Sequence, residues 1–132
     1  MGISLDPDGE PVAVFEPCEN RVAGVAVIEV DHDGRAMNRL SRVEMDGSED
    51  VREYAFLNAD VQIEAGQRYE LAAWAEGTAA WPFSSGANLA SVWFEASDIA
   101  KLEPGKVMYR DPDRFTASRI GDPEEFVADA CP

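Results

Sequence analysis

The two cysteines are the residues whose chemistry would constrain this chain most. Cys18 and Cys131 lie near opposite ends of the 132 residues, and the only histidine is His32. Without a CxxC pair, a zinc site of the usual Cys/His type is not expected. A Cys18–Cys131 disulfide would close a long loop and, in the chain-entropy model, stabilise the fold by about 4–5 kcal/mol. Two separate buried thiols are the alternative. We favour the disulfide, which predicts an oxidising compartment.

Two acidic segments are candidates for binding a metal ion. The candidate ligands are Asp31 and Asp33 in one turn, and Asp46, Glu49 and Asp50 in the next loop. Carboxylate oxygens are the ligands that Ca²⁺ prefers. Neither segment has the EF-hand pattern, and aspartate also forms turns without any ion. A calcium site and ordinary turn formation therefore both stay open.

Aromatic residues in a loop are the candidates for contacting a ligand. Trp81 and Phe83 flank a proline among small residues in the segment 77–87. Such rings can form a stacking platform for a sugar or an anchor for a protein partner. The alternative is that both rings fold inward as a lid, because large aromatic side chains are mostly buried. Trp74 and Trp93 lie on predicted strands, and we expect them in the core.

The sequence contains none of the common enzyme motifs. There is no GxSxG, HExxH, P-loop or GxGxxG, and a single histidine excludes most histidine-based metal centres. Acidic pairs occur throughout a chain this rich in carboxylates, so they do not indicate a glycosidase. We therefore predict no enzymatic activity, and no cofactor other than calcium.

The charge balance limits the classes of partner. The sequence has 26 acidic and 11 basic side chains, which gives a net charge of −15. Nucleic acids and anionic membrane surfaces require clustered lysine or arginine, so neither is expected as a partner. No apolar run is long enough to span a membrane. A protein partner, in particular a basic one, is compatible with this charge.

Short apolar runs separated by turn residues predict a single domain, 1–132, formed by an antiparallel β-sandwich. Ile3–Leu5 is predicted as a first edge strand, and Val22–Val30 as a central strand with apolar residues on both faces. Residues 35–45 fit either a helix or a strand. We favour a strand, because the loop signal Asp46–Gly47–Ser48 follows.

The second half of the chain has the same pattern of short apolar runs and turn residues, and we predict that it ends in a helix. Strands are predicted at Leu89–Phe94, Val107–Tyr109 and Phe115–Ala117, with one helical turn capped by Ser97–Asp98. Near the C-terminus, Asp122 suits an N-cap position, and Pro123 suits the first helical position. A glutamate three residues after Asp122 completes a capping box. These signals predict a short C-terminal helix that docks on the sandwich.

The segment 63–74 carries a recognisable structural motif. Tyr69 follows the turn Glu64–Ala65–Gly66–Gln67 and precedes the apolar run Leu71 to Trp74. This arrangement resembles the tyrosine corner of immunoglobulin-like and fibronectin-like sandwiches. The resemblance implies that the Tyr69 hydroxyl hydrogen-bonds back across the corner. Leu71 stands where antibody domains carry a cysteine, so the chain departs from that branch.

A wider resemblance covers most of the chain. The early Cys18, the turn Leu102–Glu103–Pro104–Gly105 and the terminal Glu125–Phe126 with Ala130–Cys131 are similar to small exported β-domain proteins of high-GC bacteria. That set has no known function. The resemblance implies export and the disulfide, and it transfers no catalytic residue.

The function predicted from these observations is a non-catalytic, secreted or cell-surface binding module that contacts another protein through Trp81 and Phe83. This localisation assumes an export signal that has been removed. One alternative is an intracellular, cytoplasmic acidic protein that blocks a basic partner. The other is a calcium-binding or carbohydrate-binding module.

Overall fold

The computed structural model describes residues 1–16, 22–45, 52–57, 61–75, 88–114 and 117–130. Within these ranges the chain forms nine strands and two helices. In chain order the elements are β1 (Gly2–Leu5), β2 (Pro11–Val14), β3 (Val22–Val30), β4 (Ala36–Glu44), β5 (Glu53–Tyr54), β6 (Arg68–Ala75), β7 (Asn88–Glu95), α1 (Ala96–Lys101), β8 (Val107–Arg110), β9 (Ser118–Gly121) and α2 (Pro123–Ala130).

The strands form two antiparallel sheets that pack as a sandwich, which confirms the predicted fold class. Sheet A has the strand order β5-β2-β1-β8-β9, and sheet B has the order β4-β3-β6-β7. In immunoglobulin constant domains the fourth strand, D, belongs to the same sheet as the first two strands, A and B. Here β4 instead lies beside β3 in sheet B, as in fibronectin-like sandwiches. β8 and β9 extend sheet A beyond β1.

The prediction that the first strand lies at a sheet edge is wrong. β1 pairs with β2 on one side and with β8 on the other, so it lies in the middle of sheet A. The partner β8 comes from the far end of the chain, so no local pattern could reveal the pairing. The last strand, β9, begins just after the predicted Phe115–Ala117, of which residues 115 and 116 lie outside the described residues.

The two long strands of sheet B confirm their predictions. β3 spans Val22–Val30 and is central, because it pairs with both β4 and β6. Residues 36–44 form a strand, as favoured, and this strand pairs with β3 as an antiparallel hairpin. Val25 and Val27 are at most 1% exposed and face the other sheet.

The core between the sheets is organised around three aromatic rings. Phe56, Tyr69 and Phe94 are each at most 1% exposed. Phe94 meets the edge of Phe56 at a centroid distance of 5.8 Å and stacks on Tyr69 at 5.6 Å. Offset and edge-to-face pairs of this kind add to the stabilisation that burial alone provides.

The tyrosine corner is present as predicted. The backbone N–H of Glu64 donates a hydrogen bond of 2.8 Å to the Tyr69 hydroxyl. Gly66, at φ +80°, allows the turn to reverse direction. The corner therefore fixes the segment that leads into β6.

We expect Tyr69→Phe to lower the free energy of unfolding by about 1–2 kcal/mol, because the Glu64 N–H loses its acceptor in a part-buried position. Urea denaturation would measure the change. Tyr54→Phe is the matched control, since the Tyr54 side chain is partly buried and forms no hydrogen bond with a described residue. Equal effects of the two substitutions would contradict a stabilising role for the corner.

Two hairpins share the turn sequence Asp-x-Asp-Gly. In the first, the Oδ1 atom of Asp6 accepts hydrogen bonds of 2.9 Å from the N–H groups of Asp8 and Glu10. The second turn repeats this geometry at Asp31, and the glycines of both turns, Gly9 and Gly34, have positive φ. The aspartates therefore act as turn-forming acceptors.

The helix α2 docks on the outer face of sheet A. The N–H of Asp122 donates to Glu125 Oε2 at 2.9 Å, which is one of the two hydrogen bonds of the predicted capping box. Phe126 is 4% exposed and packs on Val107 and on Tyr109. Burial and a hydrogen bond to a carboxylate of α2 raise the pKa of the Tyr109 hydroxyl to about 12.

The short helix α1 starts earlier than its predicted cap. It begins at Ala96, so Ser97 and Asp98 lie inside its first turn. The Glu95 N–H donates to Asp98 Oδ2 at 2.8 Å. Asp98 thus completes the cap from the third helical position, and Glu95 is the cap residue.

Candidate functional site

A groove of about 720 Å³ crosses one end of sheet B. Its walls come from the β3–β4 turn, the tyrosine corner, the end of β7 with α1, and the segment 117–120. Gln67 connects two of these walls, because its Nε2 atom donates to the Val30 carbonyl at 3.0 Å. Ser118 connects two others through a 2.6 Å hydrogen bond from its hydroxyl to the Trp93 carbonyl. Segments far apart in sequence therefore hold the groove together.

Trp93 forms the aromatic part of the groove wall. A Cβ atom at Gly34 would overlap the Trp93 ring, so the indole lies directly on this glycine. The Arg68 guanidinium lies 4.5 Å from the ring centroid. A cation in this position is attracted by the ring and also orients it. Gly34 and Arg68 together fix the Trp93 side chain.

The same arrangement occurs a second time on the outer face of sheet B. Trp74 lies on Gly24, and the Arg42 guanidinium is 4.7 Å from its ring centroid. The expectation that Trp74 and Trp93 belong to the core is wrong. Their neighbours along the strands, such as Ala73 and Phe94, face inward, and alternation directs the two indoles outward.

Two exposed apolar side chains border the groove. Met37 on β4 is 62% exposed, and Ile120 on β9 is 45% exposed. Ile120 lies opposite Met108 across the β8–β9 pair, so both point to the same side of sheet A. Met108 is buried in the core at 2% exposure, whereas Ile120 lies one strand further out. The groove therefore offers apolar surface that the fold itself does not cover.

The groove also contains three carboxylates. Asp31, Glu95 and Asp98 line it together with Arg68 and His32. Asp31 Oδ1 accepts two backbone N–H groups of its own turn at 2.9 Å. Within the described part of the chain, none of the three carboxylates forms a salt bridge. The groove is thus both apolar and acidic.

The predicted metal ligands divide into two groups. Asp31 and Asp33 lie in the turn at the groove, where hydrogen bonds within the turn account for Asp31. Asp46, Glu49 and Asp50 lie outside the described residues. Among the residues that the structure describes, no three His, Cys, Asp or Glu side chains are grouped so as to hold a metal ion. Calcium binding stays a prediction.

The other predicted functional residues also lie outside the described ranges. These are Trp81, Phe83, Cys18 and Cys131. Trp74 pairs with Asn88 at the end of sheet B opposite the groove. β6 therefore ends, at Ala75, and β7 begins, at Asn88, at that opposite end.

Sequence reasoning missed the groove residues Met37, Trp93 and Ile120. A signal existed for Trp93, since it alternates with the inward-facing Val92 and Phe94. Met37 had no signal of exposure, because plain alternation puts it on the face of Val43 and Met45, and only the two register shifts between β3 and β4 change this. Ile120 had no such signal, because its strand was not predicted.

Comparisons of the chain with protein-family models, with curated proteins and with solved structures returned no match. The described helices are too short or too polar to cross a membrane.

Proposed function

We propose that this protein is a non-catalytic binding module that holds a protein partner in the groove at the end of sheet B. The observation that carries the proposal is the exposure of Met37 and Ile120 in the lining of a groove that also contains a fixed tryptophan. Methionine, arginine and aromatic residues are enriched at protein interfaces, and tryptophan and arginine dominate their binding energy.

The polar groups of the groove support a binding role. Ser118, the one hydroxyl-bearing residue among the described residues that line it, donates to the Trp93 carbonyl. Asp31 and Asp98 accept backbone N–H groups. Such groups hold the walls in place before a partner arrives, which lowers the entropic cost of binding. Export to an oxidising compartment and the Cys18–Cys131 disulfide remain part of the proposal.

The second candidate function is that of an acidic protein that blocks a basic partner inside the cell. The net charge of −15 favours it. Contacts dispersed over an acidic surface would weaken steeply with salt, whereas contacts centred on Met37 and Ile120 would weaken much less. For carbohydrate binding, a glycine and a guanidinium already pack against each of the Trp74 and Trp93 indoles, which leaves less ring surface for a sugar.

The double substitution Met37→Glu with Ile120→Glu is expected to weaken peptide binding by about tenfold or more, since it places charge on the apolar borders. A displayed library of random peptides, selected on the native protein, would supply the ligands. Fluorescence anisotropy would then measure their affinity for each variant.

The matched control is Val127→Glu, because Val127 on α2 is 40% exposed and lies away from the groove. Both proteins should keep the native unfolding midpoint, since the substituted residues are exposed. Peptides that bind the double variant and the control equally well would overturn the proposed function, as would a library from which no peptide is enriched.

A further inference from the structure

The groove contains more negative than positive charge. Asp31, Glu95 and Asp98 line it, and its guanidinium, that of Arg68, is already stacked on Trp93. The three carboxylates form no salt bridge with a described residue. A partner that placed cations here would therefore meet acceptors without displacing an existing ion pair.

Two of these carboxylates are held in a fixed orientation. The Oδ1 atom of Asp31 accepts two backbone N–H groups, and the Oδ2 atom of Asp98 accepts one. A carboxylate has about four acceptor positions, so each group can still accept further hydrogen bonds. Because their side chains are already ordered, binding a cation here would cost little additional entropy.

The dimensions of the groove indicate the shape of its occupant. Met37 lies on β4 and Glu95 on β7, with two strands between them. At about 4.8 Å per strand spacing, this part of the groove spans roughly 15 Å. An extended peptide covers that distance with about five residues. Ile120, on β9, lies beyond the edge strand β7.

We infer that the occupant is an extended cationic segment of a partner protein, with lysine or arginine between two apolar side chains. The apolar side chains contact Met37 and Ile120, and the cations lie against Asp31, Glu95 and Asp98. This inference rests on the proposed function and specifies its partner. The net charge of −15 also speeds the approach of a cationic segment through electrostatic steering.

Three labelled synthetic peptides test the inference by fluorescence anisotropy. Their central sequences are Leu-Lys-Ser-Arg-Ser-Lys-Leu, the acidic counterpart Leu-Glu-Ser-Glu-Ser-Glu-Leu, and the uncharged Leu-Ser-Ser-Ser-Ser-Ser-Leu. The two leucines of each are about 20 Å apart in an extended chain, which reaches beyond Glu95 to Ile120. We expect the cationic peptide to bind about tenfold or more tightly than the acidic one, with a preference that decreases as salt increases.

Charge-removing variants locate the effect in the groove. Glu95→Gln with Asp98→Asn retains side-chain acceptors for the helix cap and should weaken cationic-peptide binding about tenfold. The control, Glu53→Gln with Glu124→Gln, removes two exposed carboxylates elsewhere and should leave the affinity within about twofold.

The outcomes separate this inference from the proposed function. Equal binding of the cationic and acidic peptides, abolished by Met37→Glu with Ile120→Glu, would overturn the inference and leave the binding module standing. Equal weakening by the two charge-removing variants would also overturn it, because attraction would then come from the whole surface. Failure of the cationic peptide to bind would overturn it too, and the random library would then decide the proposed function alone.

Discussion

Replacing Gly34 by alanine is expected to lower the free energy of unfolding by about 3 kcal/mol. The left-handed conformation at φ +78° costs a residue with a Cβ atom about 1–2 kcal/mol. The new methyl group would also overlap the Trp93 ring, and overpacking of this kind typically costs about 1–3 kcal/mol more. The two costs arise from different causes, so they can be separated.

Gly9→Ala is the control that separates them. Gly9 occupies the same position in the other Asp-x-Asp-Gly turn, at φ +84°, and a Cβ atom there would meet no atom within 4 Å. We therefore expect Gly9→Ala to cost only about 1 kcal/mol. Chemical denaturation followed by circular dichroism would measure both variants. Equal losses would contradict a close Gly34–Trp93 contact.

Lowering the pH from 8 to 6 is expected to destabilise the chain that begins at Met1 by about 2 kcal/mol. Met1 is 6% exposed, and this burial lowers the pKa of its amino group from 8.0 to about 6, against a smaller opposite effect of Glu16. In this range the unfolded chain binds a proton that the folded chain does not bind. Stability therefore decreases as the pH falls through this range, by at most about 1.4 kcal/mol per pH unit.

The acetylated protein isolates the contribution of this amine. Acetylation removes the titrating group, while every other ionisable group is common to the two proteins. The free energy of unfolding would be measured between pH 5.5 and pH 8.5, about half a pH unit beyond the pKa of either state. It should decrease more steeply for the free amine as the pH is lowered. Parallel curves for the two proteins would show that the amine reaches solvent in the folded state.

Most of the fold followed from local signals in the sequence. The pattern of Val22–Val30 predicted a central strand, the segment around Tyr69 predicted the corner, and Asp122 with Pro123 predicted the start of α2. Each signal depends on residues within a few positions of one another, where backbone preference and capping decide the structure. These elements were therefore predictable without knowledge of the tertiary fold.

The errors arose where distant segments decide the structure. β1 was expected at an edge because its partner β8 lies about a hundred residues later. Large aromatic side chains on strands favour a core position for Trp74 and Trp93, whereas Gly24 and Gly34 provide flat surfaces for indoles outside the core. The groove combines parts of four distant segments. A site of this kind is defined only after the sheets have assembled.

The position of β1 in sheet A has a consequence for the order of folding. All four strands of sheet B are present once the chain has been synthesised to Glu95, whereas β1 must wait for β8. Pairing between such distant segments is slow because a large loop must close first. During synthesis, one side of β1 would therefore have unpaired backbone groups while sheet B is already forming. Pulse-labelled hydrogen exchange should accordingly find amides of β3 and β6 protected before those that join β1 to β8.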